Sequence, residues 1–135
     1  MIKNVKFLMC VIFMSIVCSC NQQSVDRKAI VGKWKVIKFK AKMNDVSPFV
    51  IKSAEEIALS SSYEFKEDST YSFNSSFESY NGTWSLENKN ITMTFSSEYE
   101  KDGLEEFEIV SLNNEEMIWK IEFELGKTET VLSKK

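Results

Sequence analysis

The sequence contains no histidine, and its three cysteines all lie within the N-terminal stretch that ends at Cys20. Ser-His-Asp and Cys-His nucleophiles both need an imidazole, so neither can be built from this chain. A zinc site of the imidazole kind is excluded for the same reason, and one of the thiolate kind would need the N-terminal cysteines to survive processing. We therefore expect no enzymatic activity, no cofactor and no metal site.

The N-terminal segment has the pattern of a secretory signal. Lys3 and Lys6 precede an apolar run from Phe7 to Val17, which only Ser15 interrupts. This length suits the core of a signal peptide, for which about 7–15 residues is usual, and falls short of the roughly 17–25 that a spanning helix needs. A short buried helix is the alternative, but the run has no polar face and its flanking charges are one-sided.

The stretch Val17–Cys20, "VCSC", resembles the lipobox of bacterial lipoproteins, with Cys20 in the invariant position. The resemblance implies that residues 1–19 are removed and that Cys20 carries a diacylglycerol and an N-terminal acyl chain such as palmitate. Two or three chains anchor a protein stably, whereas one binds reversibly. The mature chain then has no free thiol, which excludes a disulfide scaffold even in an oxidising envelope compartment.

Two further expectations follow for location and partners. Asn21 stands where some bacterial lipoproteins carry the aspartate that retains them in the inner membrane, so we expect an outer-membrane location in the cell envelope. The net charge of the whole chain is −3, and loss of Lys3 and Lys6 makes the mature chain more acidic. An acidic surface argues against binding to nucleic acid and against electrostatic docking on anionic lipid. We expect a monomer that contacts the membrane through its acyl chains.

Beyond a polar tether, residues 20–29, the chain alternates apolar and polar side chains from Ile30 onward. The clearest run is Met117, Trp119, Ile121 and Phe123, whose intervening residues are mostly charged. Period-two alternation is typical of half-buried strands, and the glycine-bearing and polar stretches between the runs predict tight turns. The domain, residues 30–135, is therefore predicted to be an all-β antiparallel meander. Its eight strands are predicted at 31–40, 60–66, 69–79, 83–87, 91–98, 104–112, 115–124 and 127–133.

Three local features refine this prediction. Asn81-Gly82 and Asp102-Gly103 are expected at hairpin turns, because both types of residue tolerate a positive φ. A short helix is expected at residues 54–59, where Ser53–Glu56 forms a weak capping box. In two strands, 31–40 and 104–112, the apolar residues switch from odd to even positions or the reverse partway along the strand. This change of parity indicates either a β-bulge or burial on both faces.

The run Gly32-Lys33-Trp34 resembles the Gly-x-Trp on the first strand of lipocalins, and Gly82-Thr83-Trp84 provides a second copy. The segment Tyr63–Phe73 also resembles the aromatic hairpin of lipocalin-like bacterial lipoproteins. The resemblance implies a single up-and-down β-barrel in which Gly32 and Trp34 are structural residues of the closed end. The arginine that usually covers this tryptophan from the last strand is absent, because the C-terminus offers only lysines.

The same resemblance implies that the barrel binds a small hydrophobic or amphipathic ligand without catalysis. The residues expected to line the ligand site are the inward aromatics Phe65, Tyr71, Phe73, Trp84, Phe95, Trp119 and Phe123. An eight-stranded barrel is just wide enough either to hold one small molecule or to be filled by its own side chains. The alternative is therefore a filled barrel that acts as a protein- or glycan-interaction module in the envelope.

Overall fold

The alternating residues beyond Ile30 form eight antiparallel strands that close into one barrel. The structure, a computed structural model, describes residues 24–135. Each strand pairs with the next in the sequence, and β1 pairs with β8, which confirms the predicted up-and-down barrel. The predicted signal peptide and Cys20 lie outside the described residues. The elements are α1 (Arg27–Ile30), β1 (Gly32–Met43), α2 (Pro48–Leu59), β2 (Ser62–Phe65), β3 (Thr70–Asn74), β4 (Ser79–Glu87), β5 (Asn90–Phe95), β6 (Gly103–Leu112), β7 (Glu116–Phe123) and β8 (Gly126–Lys134).

Both changes of parity are β-bulges. The register between β1 and β8 shifts at Ile37, and the register between β6 and β7 shifts at Val110. Both residues point outward and are about half exposed, at 51% and 52%. The apolar residues that follow, Phe39 and Leu112, return to partly buried positions. Burial on both faces is thus excluded, and each bulge bends its strand as a closed barrel requires.

The predicted turn at Asn81-Gly82 is wrong, because both residues lie inside β4. The turn between β3 and β4 comes earlier, where the Ser75 hydroxyl accepts hydrogen bonds from the backbone N–H groups of Phe77 and Glu78. A Cβ on Gly82 would lie 2.8 Å from the Tyr71 ring and would overlap the carbonyl oxygen of Thr94. Glycine is needed here for close packing between strands rather than for a turn.

The helix between β1 and β2 begins six residues before the predicted position of 54. The Ser47 hydroxyl caps its N-terminus by accepting from the N–H of Val50, and Pro48 occupies the first turn. Proline suits this position because its fixed φ is helical and its missing N–H would have no partner. Ser53 does not cap the helix, since its hydroxyl donates to the carbonyl of Phe49. In residues 24–135 no helix is both long and apolar enough to cross a membrane.

One end of the barrel is closed by α1, and we call it the closed end. Trp34 is fully buried there, and its indole N–H donates to the carbonyl oxygen of Ile30 at 2.7 Å. Gly32, at φ +137°, lets the chain turn from α1 into β1. The ammonium of Lys134 lies 5.3 Å from the Trp34 ring centroid, so a lysine from the last strand covers this tryptophan.

The second tryptophan of the closed end, Trp84, is covered by Arg27, the only arginine in the sequence. The Arg27 guanidinium lies 4.0 Å from the Trp84 ring centroid and donates to Glu67 O and Ser69 Oγ in the β2–β3 turn. The indole N–H of Trp84 donates to Lys66 O in the same turn. Arg27 therefore fastens α1 to the barrel. From Val25 onward, the segment predicted as a tether contacts the barrel.

We predict that Arg27→Ala lowers the free energy of unfolding by about 1–2 kcal/mol, because it removes a cation–π contact and two charged hydrogen bonds. Urea unfolding followed by tryptophan fluorescence measures this difference. Lys28→Ala is the matched control, since Lys28 is the exposed neighbour in α1 and should change stability by less than about 0.5 kcal/mol. Equal effects of the two substitutions would show that Arg27 has no special role at the closed end.

Candidate functional site

Side-chain burial decreases along the barrel axis, away from the closed end. The largest side chains that are less than 2% exposed fill the interior near α1 and the middle of the barrel. They are Trp34, Trp119, Tyr71, Phe65, Ile30, Ile91, Met93, Met117 and Leu132. Toward the opposite end, which we call the open end, the inward positions are partly buried or, at Phe123, exposed. These are Phe39, Ala41, Tyr80, Phe95, Glu105, Ile121, Phe123 and Thr128.

The seven aromatics predicted to line a ligand site divide between these two regions. Phe65, Tyr71, Trp84 and Trp119 are 1–2% exposed and pack against other rings, as in the Phe65–Trp84 pair at 5.3 Å between centroids. Phe73 is 8% exposed, Phe95 is partly buried, and Phe123 is 42% exposed at the rim. The first four form a floor, and the last three border the open end. Their contact with a ligand stays a prediction.

Four aromatic rings form one continuous surface on the β2–β5 side of the interior, which we call the aromatic wall: Tyr63, Phe73, Tyr80 and Phe95. Tyr80 stacks on Phe73 and Phe95 with centroid distances of 4.7 and 5.1 Å, and Tyr63 lies 5.0 Å from Phe73. Phe95 lies flat against the sheet because its neighbour Gly103 has no side chain, and a Cβ there would overlap its ring. The four rings thus form one continuous aromatic surface.

A carboxylate that the sequence analysis did not single out lies inside the barrel. Glu105 on β6 pairs directly with Met93, which is 1% exposed, so both side chains face the interior. Burial raises the pKa of Glu105, and the nearby carboxylates Glu100 and Glu78 raise it further. No positive charge or hydrogen bond contributes to that shift. Glu105 lies two residues before the buried Phe107 on the same strand, so both side chains belong to the same face of the sheet. This parity is the sequence signal that could have predicted the inward position of Glu105.

Three tyrosines of the interior are coupled to Glu105. Burial is the largest cause that raises the pKa of Tyr63, Tyr71 and Tyr80, and the Glu105 charge is the second cause for each. Tyr71 is only 2% exposed, and no hydrogen bond offsets the effect of its burial. The open end therefore combines an aromatic wall with three phenols and one carboxylate. This combination of apolar lining with a few polar groups is typical of small-molecule sites.

A depression of the surface lies outside the barrel and suits an apolar ligand poorly. It has a volume of about 1310 Å³ and runs between α1, the β4–β5 turn and the end of β6. Its lining is largely polar, contains no aromatic side chain and is open to solvent. The open end of the barrel is therefore the better candidate for a binding site.

We predict that Glu105→Gln stabilises the protein by a few degrees at pH 7, because an ionised carboxylate without a cation is costly to bury. Since the folded-state pKa is raised, the contribution of Glu105 to stability is lost as pH rises above the ordinary value of 4.5. The difference in melting temperature between Glu105→Gln and wild type should therefore grow from about pH 4 to neutrality. Thermal melts of both proteins across this range measure it.

Glu106→Gln is the matched control for that experiment, because Glu106 is exposed on the outer face of the same strand. It should shift the melting temperature little and without the same pH dependence. A pH-independent difference for Glu105→Gln would mean that Glu105 is not desolvated in the folded protein.

Comparison with known proteins agrees with this architecture. A crystal structure of a lipocalin-like protein from Bacteroides uniformis superposes with a TM-score of 0.52 at 15% identity, covering 79% of this chain and 99% of that one. A crystal structure of an uncharacterized protein from Bacteroides eggerthii gives a TM-score of 0.51 at 16% identity, with 78% and 98% covered. No curated protein matches the sequence. The model of the lipocalin-like domain family matches residues 30–119, and the chain therefore belongs to that family.

Proposed function

We propose that this protein is a lipid-anchored envelope lipoprotein that binds a small apolar or amphipathic molecule at the open end of its barrel, without catalysis. The observation that carries this proposal is the contrast between the filled floor and the partly buried aromatic wall above it. The lipocalin-like fold is compatible with such binding. The chain has no histidine, so Ser-His-Asp and Cys-His nucleophiles are not available to it.

The side of the barrel opposite the aromatic wall supports a site of limited size. Between the larger Phe39 and Met43, the inward positions of β1 and β8 include the small side chains Ala41 and Thr128, which pair directly with each other. These two side chains occupy less volume than the rings of the aromatic wall. The floor at Trp119 and Phe65 limits the depth, so we propose that the ligand enters only the outer part of the barrel.

The position of the proposed anchor agrees with entry from the aqueous side. The N–H of Val25 donates to Asn88 O at the closed end, so the chain from Cys20 to this contact can span at most about 17 Å. With its 12 residues tilted as is usual in barrels, β1 gives a barrel height of about 30 Å. An acylated Cys20 would therefore hold the closed end near the membrane, and the open end would face away from it.

Binding is tested with the neutral apolar dye N-phenyl-1-naphthylamine, whose fluorescence rises in an apolar site. We expect saturable binding of one dye per chain. Phe123→Ser should weaken it about five- to tenfold, because Phe123 is a large apolar contact at the rim. Leu104→Ser is the matched control: Leu104 is 63% exposed on the outer wall, so its loss should leave affinity unchanged.

Absence of saturable dye binding, together with a native mass spectrum that contains only the unliganded chain, would refute the ligand-binding proposal. It would favour the interaction module instead. One feature that suits this second function is the pair Phe77 and Tyr99, which stack at 4.9 Å on adjacent loops of the open end and are 56% and 64% exposed.

The proposed anchor is tested by Cys20→Ala in a Gram-negative host. We expect loss of the acyl mass and release of the protein from the membrane fraction, because the thiol is the site of lipid attachment in the lipobox resemblance. Cys18→Ala is the matched control and should keep both properties. Membrane retention of Cys20→Ala, or release of Cys18→Ala alone, would contradict anchoring at Cys20. Fractionation of the wild type tests the proposed outer-membrane location.

A further inference from the structure

We propose that the ligand of the open end carries a cationic amine and that Glu105 is the residue that pairs with it. This inference rests on the proposed binding function and specifies the chemical class of the ligand. Its basis is a set of polar side chains of the open end that have no partner in the described part of the chain, among which one oxygen of Glu78 is buried.

Two of these groups point to a missing partner independently of Glu105. Tyr71 is 2% exposed as a residue, and its phenol makes no hydrogen bond with residues 24–135. One carboxylate oxygen of Glu78, in the β3–β4 turn at the open end, is buried and has no hydrogen-bond partner within residues 24–135. A buried polar group without a partner costs free energy, which a ligand that supplies the partner would recover.

The charged groups near Glu105 are all negative, which favours a ligand with a positive charge. The titratable groups that act on Glu105 and on the three tyrosines are Glu78, Glu100, Glu105 and the phenols themselves. None of these groups is positive. A fatty-acid carboxylate in this position would meet three carboxylates, whereas an ammonium would be attracted by all of them. The same field argues against phosphate-bearing head groups.

The aromatic wall supplies a second contact for the same head group. Ring faces attract ammonium ions within about 6 Å of the centroid, and the attraction grows when the site is desolvated. Tyr80 and Phe73, which stack on each other at 4.7 Å, belong to the same interior as Glu105. An alkylammonium could place its head near Glu105 and its chain along the partly buried Phe95, toward the exposed Phe123 at the rim.

Titration calorimetry with three probes of one chain length, decylamine, 1-decanol and decanoate, tests the inference on the full barrel domain, residues 24–135. We expect decylamine to bind at least about tenfold more tightly than 1-decanol, and decanoate to bind most weakly. Glu105→Gln should bring decylamine to within about twofold of 1-decanol without weakening 1-decanol. Glu106→Gln, on the outer face of β6, should keep the wild-type preference.

The outcomes separate this inference from the function on which it rests. If 1-decanol binds and decylamine binds no more tightly, or if Glu105→Gln keeps the preference for decylamine, the amine assignment is overturned while ligand binding stands. If none of the three probes binds, both the amine assignment and the ligand-binding proposal are contradicted. Tyr71→Phe should weaken decylamine by a few-fold if the phenol contributes to the head-group site, and an unchanged affinity would remove Tyr71 from it.

Discussion

The pairing of β1 with β8 is the contact on which both ends of the barrel depend. β1 pairs with β2 only over Gly32–Lys35, but it pairs with β8 from Trp34 to Met43. The bulge at Ile37 adds one residue to β1 within this long pairing. Because of it, the apolar side chains of β1 face the interior both before and after Ile37. Without the bulge, Phe39 and the residues that follow it would face solvent, since a slip of one residue exchanges the two faces of a strand.

The unequal pairing of β1 also explains why the two ends differ. Near Trp34 the strand has a neighbour on each side, and large side chains with α1 fill the space completely. Beyond Val36 the side of β1 that faces β2 has no strand partner, and α2 contacts β1 instead without burying any of its own residues. The interior is consequently packed at the closed end and only half covered at the open end.

Alternation in the sequence was sufficient to predict an antiparallel meander and most of its strands, because burial of one face of a sheet determines which residues are apolar. The closed barrel was implied by the resemblance to lipocalins, and the two changes of parity left a β-bulge and burial on both faces as alternatives. Local turn signals were less reliable. Asn81-Gly82 has the composition of a hairpin turn, but strand packing against Tyr71 and Thr94 determined its place. The role of Arg27 could not be assigned from the sequence, since it depends on contacts with strands that are distant in the chain. The inward position of Glu105 could be read from its parity with Phe107, but its acidic neighbours favoured an exposed position. A charged residue in an acidic run is ordinarily expected in solvent.

The distribution of satisfied polar groups argues that the open end is specialised for more than folding. At the closed end the indole N–H groups of Trp34 and Trp84 and the Arg27 guanidinium all have partners. At the open end Glu105 and Glu78 have none among the described residues, although an apolar side chain at position 105 would fit the pattern of β6. Residues that do not fit the local sequence pattern are expected at functional sites, where a side chain that binds a ligand can lower the stability of the fold. Since the barrel closes without any contribution from Glu105, a carboxylate at this inward position is best explained by a partner that enters from outside.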